Sequence, residues 1–236
     1  MSFANAFTPE RMAEAWNCLL TEFPFALWET LYSTILSTLF AIIIGLPLGV
    51  ILVTGEQKGI RPLPRLLMNI LNVMINLLRS VPFIILMVMI IPLTRVIVGT
   101  SVGTVASIVP LTVAAFPFIA RLVESSLREL NPNIIETAQS MGATPMQIVM
   151  KVMLPESVPS LITNFTLAIT TIMGYTAMSG AVGGGGLGKL ALSYGYQRYR
   201  YMILYLAVIV LVIITQVLQS FGTWLAKKCD KRLRNK

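Results

Sequence analysis

Long stretches of this chain carry no charge, and each is long enough to cross a lipid bilayer. Thr30–Gly55, Val96–Ala120, Ser157–Gly188 and Tyr201–Ala226 contain no Asp, Glu, Lys or Arg. About 20 apolar residues suffice for a helix to traverse a hydrocarbon core of about 30 Å. A fifth stretch, Leu66–Thr94, is interrupted only by Arg79. Neither piece beside Arg79 is comfortably long enough alone, so one tilted helix is expected, kinked near Pro82. Could these runs be core helices of a soluble protein? Only 12% of the 236 residues are charged and 56% are apolar, against about 25% charged in an ordinary soluble domain. Too little polar sequence remains to cover five such helices. The runs are continuous rather than alternating, which excludes a transmembrane β-barrel. The expected fold is an all-α membrane protein with five transmembrane helices.

Charge sets the orientation. The net charge is +8. An odd number of spans puts the termini on opposite sides. With the C-terminus inside, the cytoplasmic segments hold Lys58, Arg61 and Arg65, then Arg121, Arg128 and Lys151, then the six basic residues of Lys227–Lys236. The outside keeps Arg11, Arg95, Lys189, Arg198 and Arg200. Basic residues mark the cytoplasmic side, so the N-terminus is expected outside, although Lys189, Arg198 and Arg200 fit this poorly. The basic tail is read as a topology signal, and nucleic acid is not an expected partner. The chain divides into an extracytoplasmic segment 1–26, a membrane domain 27–226 and a tail 227–236. In the first segment, Thr8 and Pro9 suit a helix start, and Met12, Trp16 and Leu19 fall on one face. That helix either lies on the membrane or packs on the first span. The first apolar run lacks the flanks of a signal peptide and is expected to remain as a span.

Chemistry is sparse. There is no His, and the only cysteines are Cys18 and Cys229, expected on opposite sides of the bilayer. No catalytic constellation and no metal site are expected. Gly183–Leu190 nearly spells a phosphate-binding loop, but Leu190 stands where a Ser or Thr must reach magnesium. A conformational role is the better reading: glycines permit a tight re-entry of the chain. The thirteen Met residues are read as ordinary packing.

The most informative stretch is Asn131–Glu156. Asn131 is a good N-cap and Pro132 suits the first helical position. Gly142 supplies a left-handed helix end. Thr144, Pro145 and Gln147 then start a second helix with a capping box, on which Met146, Val149, Met150 and Met153 recur at helical spacing. Pro155 and Pro159 are expected to punctuate the chain before the fourth span. The result is an elbow of two short helices on the cytoplasmic side. It is suited to docking on another protein, or to resting on the membrane.

Glu136, Thr137 and Ala138, then Gly142, then Val152, Leu154 and Pro155 resemble the EAA loop of bacterial ABC importer permeases. Thr137 replaces an alanine and Val152 an isoleucine, both mild changes. The stretches WETLYST, GLPLGV, LLRSVPFIILM, PLTRVIVGTSVG, PFIARLVE, MGATPMQIV and GAVGGGGLG are similar to the methionine-importer branch of that family. The resemblance covers roughly Trp28 to Tyr199. It implies a homodimer of five-span subunits in the bacterial inner membrane. It also implies two cytoplasmic ATPase subunits that hold ATP and Mg, and an external methionine-binding protein or lipoprotein. The permease itself would be no enzyme and hold no cofactor. It implies roles too: Glu136 anchors the elbow 131–156 on the ATPase, Ala138 allows close approach, Gly142 sets the bend, and Leu154 and Pro155 join the elbow to the fourth span.

The fourth span carries Asn164, Ala168, Thr171 and Tyr175 along one helical face, with Met173 and Ser179 nearby. Such a stripe lines an aqueous path or packs helix on helix, and packing is favoured. Arg79 costs about 2.5–3.5 kcal/mol at mid-helix. It is expected to hold helix ends together, with Glu29, Glu56 and Glu124 as the available acids. A permease for another amino acid is the nearest alternative. An ATP-independent channel or carrier is less favoured, because the spans lack the acids or His that ion coupling uses.

Overall fold

The computed structural model describes residues 16–57 and 59–230. Thr8, Pro9, Arg11, Met12, Lys58 and the basic residues Lys231, Arg232, Arg234 and Lys236 lie outside the described residues. The regular elements among the described residues are all helices, with no strand among them. The main helices are α1 (Phe23–Thr54), α2 (Arg65–Ser80), α3 (Phe83–Met89), α4 (Ile91–Val98), α5 (Thr104–Arg128) and α6 (Pro132–Ser140). They continue with α7 (Pro145–Val182), α8 (Gly186–Lys189, extended by the π-turns Leu190–Tyr196) and α9 (Tyr201–Cys229). Four helices, α1, α5, α7 and α9, are long and apolar enough to span a membrane. The bent pair α2–α3 makes a fifth.

That fifth span departs from the expected single kinked helix. Its two pieces meet at 106°. The reason is local. Val81 precedes Pro82 and is driven to extended backbone, φ −80 and ψ 124, because the proline ring crowds the helical conformation of its predecessor. The expected third span, Val96–Ala120, also shifts: Gly99 and Gly103 take φ +82 and +105 and separate α4 from α5, which starts only at Thr104. Its other end reaches Arg128. Arg121 and Arg128 therefore both lie on α5.

The chain forms two compact units. The first combines residues up to Leu39 with Pro82–Val113 and Ile169–Leu218. Its core joins Phe23, Ala26, Leu187, Leu190, Ala191, Ile203 and Ala207. The helical residues 16–21 pack on it through Cys18 and Leu19 and leave Trp16 and Leu20 exposed. Hydroxyls also line this unit's interior. Thr34 Oγ1 and Thr176 Oγ1 lie 3.2 Å apart, and Ser33, Thr38 and Ser107 donate to helix carbonyls of the preceding turns.

The second unit combines Phe40–Val81, Ala114–Ala168 and the residues from Gln219. Here α1 and α5 cross closely at Gly45 and Gly49. A Cβ on Gly49 would lie 2.6 Å from the Ala120 carbonyl oxygen and from Val123. Leu52, Met68, Ile75 and Ala120 form the adjoining core.

A helical elbow and a clasped glycine turn

The elbow sits in the second unit, and its backbone is assembled by local capping. The Asn131 side chain accepts from the amide of Asn133 at 3.0 Å and starts α6. The helix closes when Gly142 N–H donates to Gln139 O at 2.9 Å and Ala143 N–H donates to Ala138 O at 3.1 Å. Gly142 has φ +78, the left-handed turn that makes this double closure cheap for glycine. Thr144 then forms the expected capping box: its amide donates to Gln147 Oε1 at 2.9 Å, and its Oγ1 accepts from Gln147 N–H at 3.4 Å.

The second arm of the elbow is not a separate short helix. It runs from Pro145 to Val182 without a break. Pro155 and Pro159 do not interrupt it. A π-turn at Val149–Met153, closed by Leu154 N–H on Val149 O, widens the helix just before Pro155. The wider turn accommodates a residue that lacks a donor and crowds the preceding turn. Ile148 and Met153 face inward, each 1% exposed, whereas Met141, Met146 and Met150 face out at 81%, 67% and 57%. The methionine series is therefore divided between the inside and the outside.

Glu136 is exposed. It borders a cavity of about 390 Å³ shared with Glu56, Arg128, Ile135, Gln139 and Met153. A second cavity, about 350 Å³, separates Val50, Ile60 and Leu63 from Pro145, Met146 and Val149. Both arms of the elbow thus face the end of α1 across these cavities. Leu154 is half-buried and Pro155 exposed, at the join between elbow and span. Ala138 is half-buried.

Behind the elbow runs a polar chain. Arg121 donates to Glu124 at 2.6 Å and to Asn72 and Asn76 at 2.9 Å each. Arg128 joins Glu124 at 2.8 Å and Glu56 at 2.5 Å. Glu56 and Glu124 are therefore partners of Arg128 and Arg121, not of Arg79. Arg79 is exposed and forms no ion pair among the described residues. The spacing Arg121, Glu124, Arg128 was the available signal, since residues three and four apart share a helix face.

The residues of the candidate path are mostly packing groups. Asn164 Nδ2 donates to Ser126 Oγ at 2.8 Å and to Leu122 O at 3.3 Å. Met173 is buried and accepts from Thr215 Oγ1 at 3.1 Å. Tyr175 stacks on Phe83, ring centres 4.7 Å apart and 6° from parallel. Ser179 is buried and donates to Thr176 O at 2.7 Å. Thr171 is half-buried. Asn164 belongs to the second unit, the others to the first.

The glycine run lies in the first unit. Gly183 and Gly186 take φ +92 and +78. Gly186 N–H donates to Glu29 Oε2 at 2.8 Å and Leu187 N–H to Thr30 Oγ1 at 2.9 Å. The amides that a phosphate would need already have acceptors, and a carboxylate occupies the position of the anion. In the sequence, Glu29 reads only as an acid near the membrane edge.

Comparison with known proteins fits this architecture. Residues 45–235 match the family model described as binding-protein-dependent transport system inner membrane component. A Vibrio cholerae protein named probable D-methionine transport system permease protein MetI is 47% identical over 88% of this chain and 92% of its own length. The Escherichia coli K12 protein named D-methionine transport system permease protein MetI is 51% identical over 65% of this chain and 70% of its own. A solved structure titled as an inward-facing conformation of the MetNI methionine ABC transporter superposes with a TM-score of 0.87 at 44% identity, covering 95% of this chain and all of that one. With a family match over most of its length and the five-span helical architecture that goes with it, the chain belongs to the binding-protein-dependent transport system inner membrane components.

Proposed function

We propose that this chain is the permease subunit of an ATP-driven methionine importer of the bacterial inner membrane. The observation that carries the reading is identity of 47% over nearly the whole chain with a relative named for D-methionine transport. The family match includes the entire elbow. In this reading two copies pair, two ATPase subunits bind the cytoplasmic face, and an external binding protein or lipoprotein delivers substrate. ATP and Mg are held by the ATPase, which does the hydrolysis. The N-terminus lies outside and the tail inside.

The elbow is the grip. Met141, Met146 and Met150 offer a flexible apolar surface of the kind that adapts to a partner. Glu136 adds an anchoring carboxylate, Ala138 keeps the approach close, Gly142 sets the angle, and Leu154 and Pro155 pass displacement into α7. Nucleotide drives transport only if it binds two states of the complex with different affinity. The elbow lets that difference reach the spans, which rock between inward-open and outward-open forms. Asn164, Thr171, Met173, Tyr175 and Ser179 lie on the helix that would flank the path, with packing as their main work.

The test is uptake of labelled methionine by cells lacking, then regaining, this gene, beside a strain whose ATPase subunit is inactive. Restoration that depends on the active ATPase, and is competed by methionine rather than by other amino acids, is the expected result. Uptake that persists without the ATPase overturns the reading.

A further inference from the structure

The backbone of the glycine run is gripped by the protein's own groups from several sides. Non-helical backbone inside an apolar protein must have its polar groups satisfied. Gly184 N–H donates to Ser179 O at 2.9 Å, and Gly183 O accepts from Gly103 N–H at 2.8 Å. Thr30 Oγ1 takes the Leu187 amide. Glu29 does more than any of these. Its Oε2 accepts from Gly186 N–H at 2.8 Å, and its Oε1 accepts from Thr104 Oγ1 at 2.5 Å. One carboxylate thus ties α1 to the glycine turn and to the first residue of α5. We infer that Glu29 is a positioning residue: it fastens the Gly183–Gly188 turn in this state of the permease and releases it when the transporter changes state.

Three observations support a fastener rather than mere filling. The seat is shaped for glycine. A Cβ on Gly185 would lie 2.7 Å from Glu29 Oε2 and closer still to Thr104 Oγ1, and one on Gly186 would lie 2.5 Å from Thr30 Oγ1. Next, a neutral hydroxyl suffices for the neighbouring amide of Leu187, so structure alone does not require a charge here. A half-buried charge is costly unless paired, and among the described residues Glu29 forms no ion pair. Its hold rests on two hydrogen bonds to a charged acceptor. Such bonds are strong in a dry site and lose much of that strength when water enters. The clasp is therefore tight while the turn is closed and cheap to exchange for water once it opens. Finally, the turn leads directly into the π-turns Leu190–Tyr196, an irregularity frequent where helices serve function.

This inference rests on the transport reading, but its first readout, exchange in the turn, needs no transported substrate. The permease is purified with its ATPase subunits, and amide hydrogen exchange of the segment 183–190 is compared in wild type, Glu29→Ala and Glu29→Gln, beside ATP hydrolysis without substrate. In Glu29→Ala the Gly186 and Leu187 amides should exchange about tenfold faster. Substrate-independent hydrolysis should rise about fivefold, and binding-protein-dependent uptake should fall. Glu29→Gln keeps the volume and rebuilds two neutral bonds, so it should fall between and guard against a misfolded alanine variant. The fastener is overturned if exchange in the turn is unchanged in both variants. It is also overturned if hydrolysis and uptake in Glu29→Gln fall in equal proportion with the amount of folded complex. A wild-type complex that hydrolyses ATP but imports no methionine refutes the substrate and leaves the exchange result standing.

Discussion

At Gly142 the backbone demands glycine while the surroundings do not. Its φ is +78, and a Cβ there would meet nothing within 4 Å. The cost of Gly142→Ala is therefore conformational, about 1 kcal/mol, and a β-branched Gly142→Val costs more. The protein should still insert and assemble, while the elbow loses its angle. ATP hydrolysis measured beside methionine uptake in vesicles should show hydrolysis retained and uptake reduced. Asn164 makes the opposite case. Its amide satisfies Ser126 and the Leu122 carbonyl, so Asn164→Ala should lower stability by about 1–2 kcal/mol, read as a drop in melting temperature, with substrate preference unchanged. Gly142 and the Thr144–Gln147 box were legible in the sequence because capping chemistry is settled within a few residues. The partners of Glu29 and Glu56 were not, because they lie 75 and 72 positions away, whereas Glu124, three and four positions from Arg121 and Arg128, had the readable helical spacing.

Among the elements, spans defined by charge-free runs were found, but their ends moved. Hydropathy reports where charge is absent. Where a helix stops is decided by Gly99 and Gly103 in left-handed backbone and by Val81 ahead of Pro82. Prolines misled in both directions: Pro82 breaks its helix outright, whereas Pro155 is absorbed by a π-turn, an adjustment that periodicity does not encode. The close crossing of α1 and α5 had a readable signal in Gly45 and Gly49, four residues apart, the small-residue spacing that brings membrane helices together. A Cβ on Gly45 would lie 2.8 Å from the Phe116 carbonyl oxygen. Gly49→Leu should therefore force the helices apart at a cost of about 1–3 kcal/mol, seen as reduced thermal stability in detergent, and Gly49→Ala should show a smaller shift of the same sign.

For the molecule as a whole, the orientation rests on the distribution of basic residues and predicts opposite accessibility for the two cysteines. An impermeant maleimide applied to intact spheroplasts should modify Cys18, and Cys229 only after permeabilisation. Reaction at Cys18 should be slow at neutral pH. Burial and the Glu22 carboxylate push its thiol above its ordinary value, with Arg200 opposing them, so thiolate is scarce until the pH passes the usual thiol range. Labelling should climb steeply there. Equal modification of both cysteines in sealed spheroplasts would refute the topology.

The unbroken helix from Pro145 has a consequence of angular register. Successive residues on an α-helix are set about 100° apart. The methionines that face outward and the Leu161 and Asn164 side chains that face inward are thus locked in phase. One residue inserted between Leu154 and Leu161 would swing Met146 and Met150 about a quarter-turn around the axis relative to Leu161 and Asn164 without altering a single side chain. Length between the gripping surface and the anchored part of the helix is as strictly fixed as any amino acid on either.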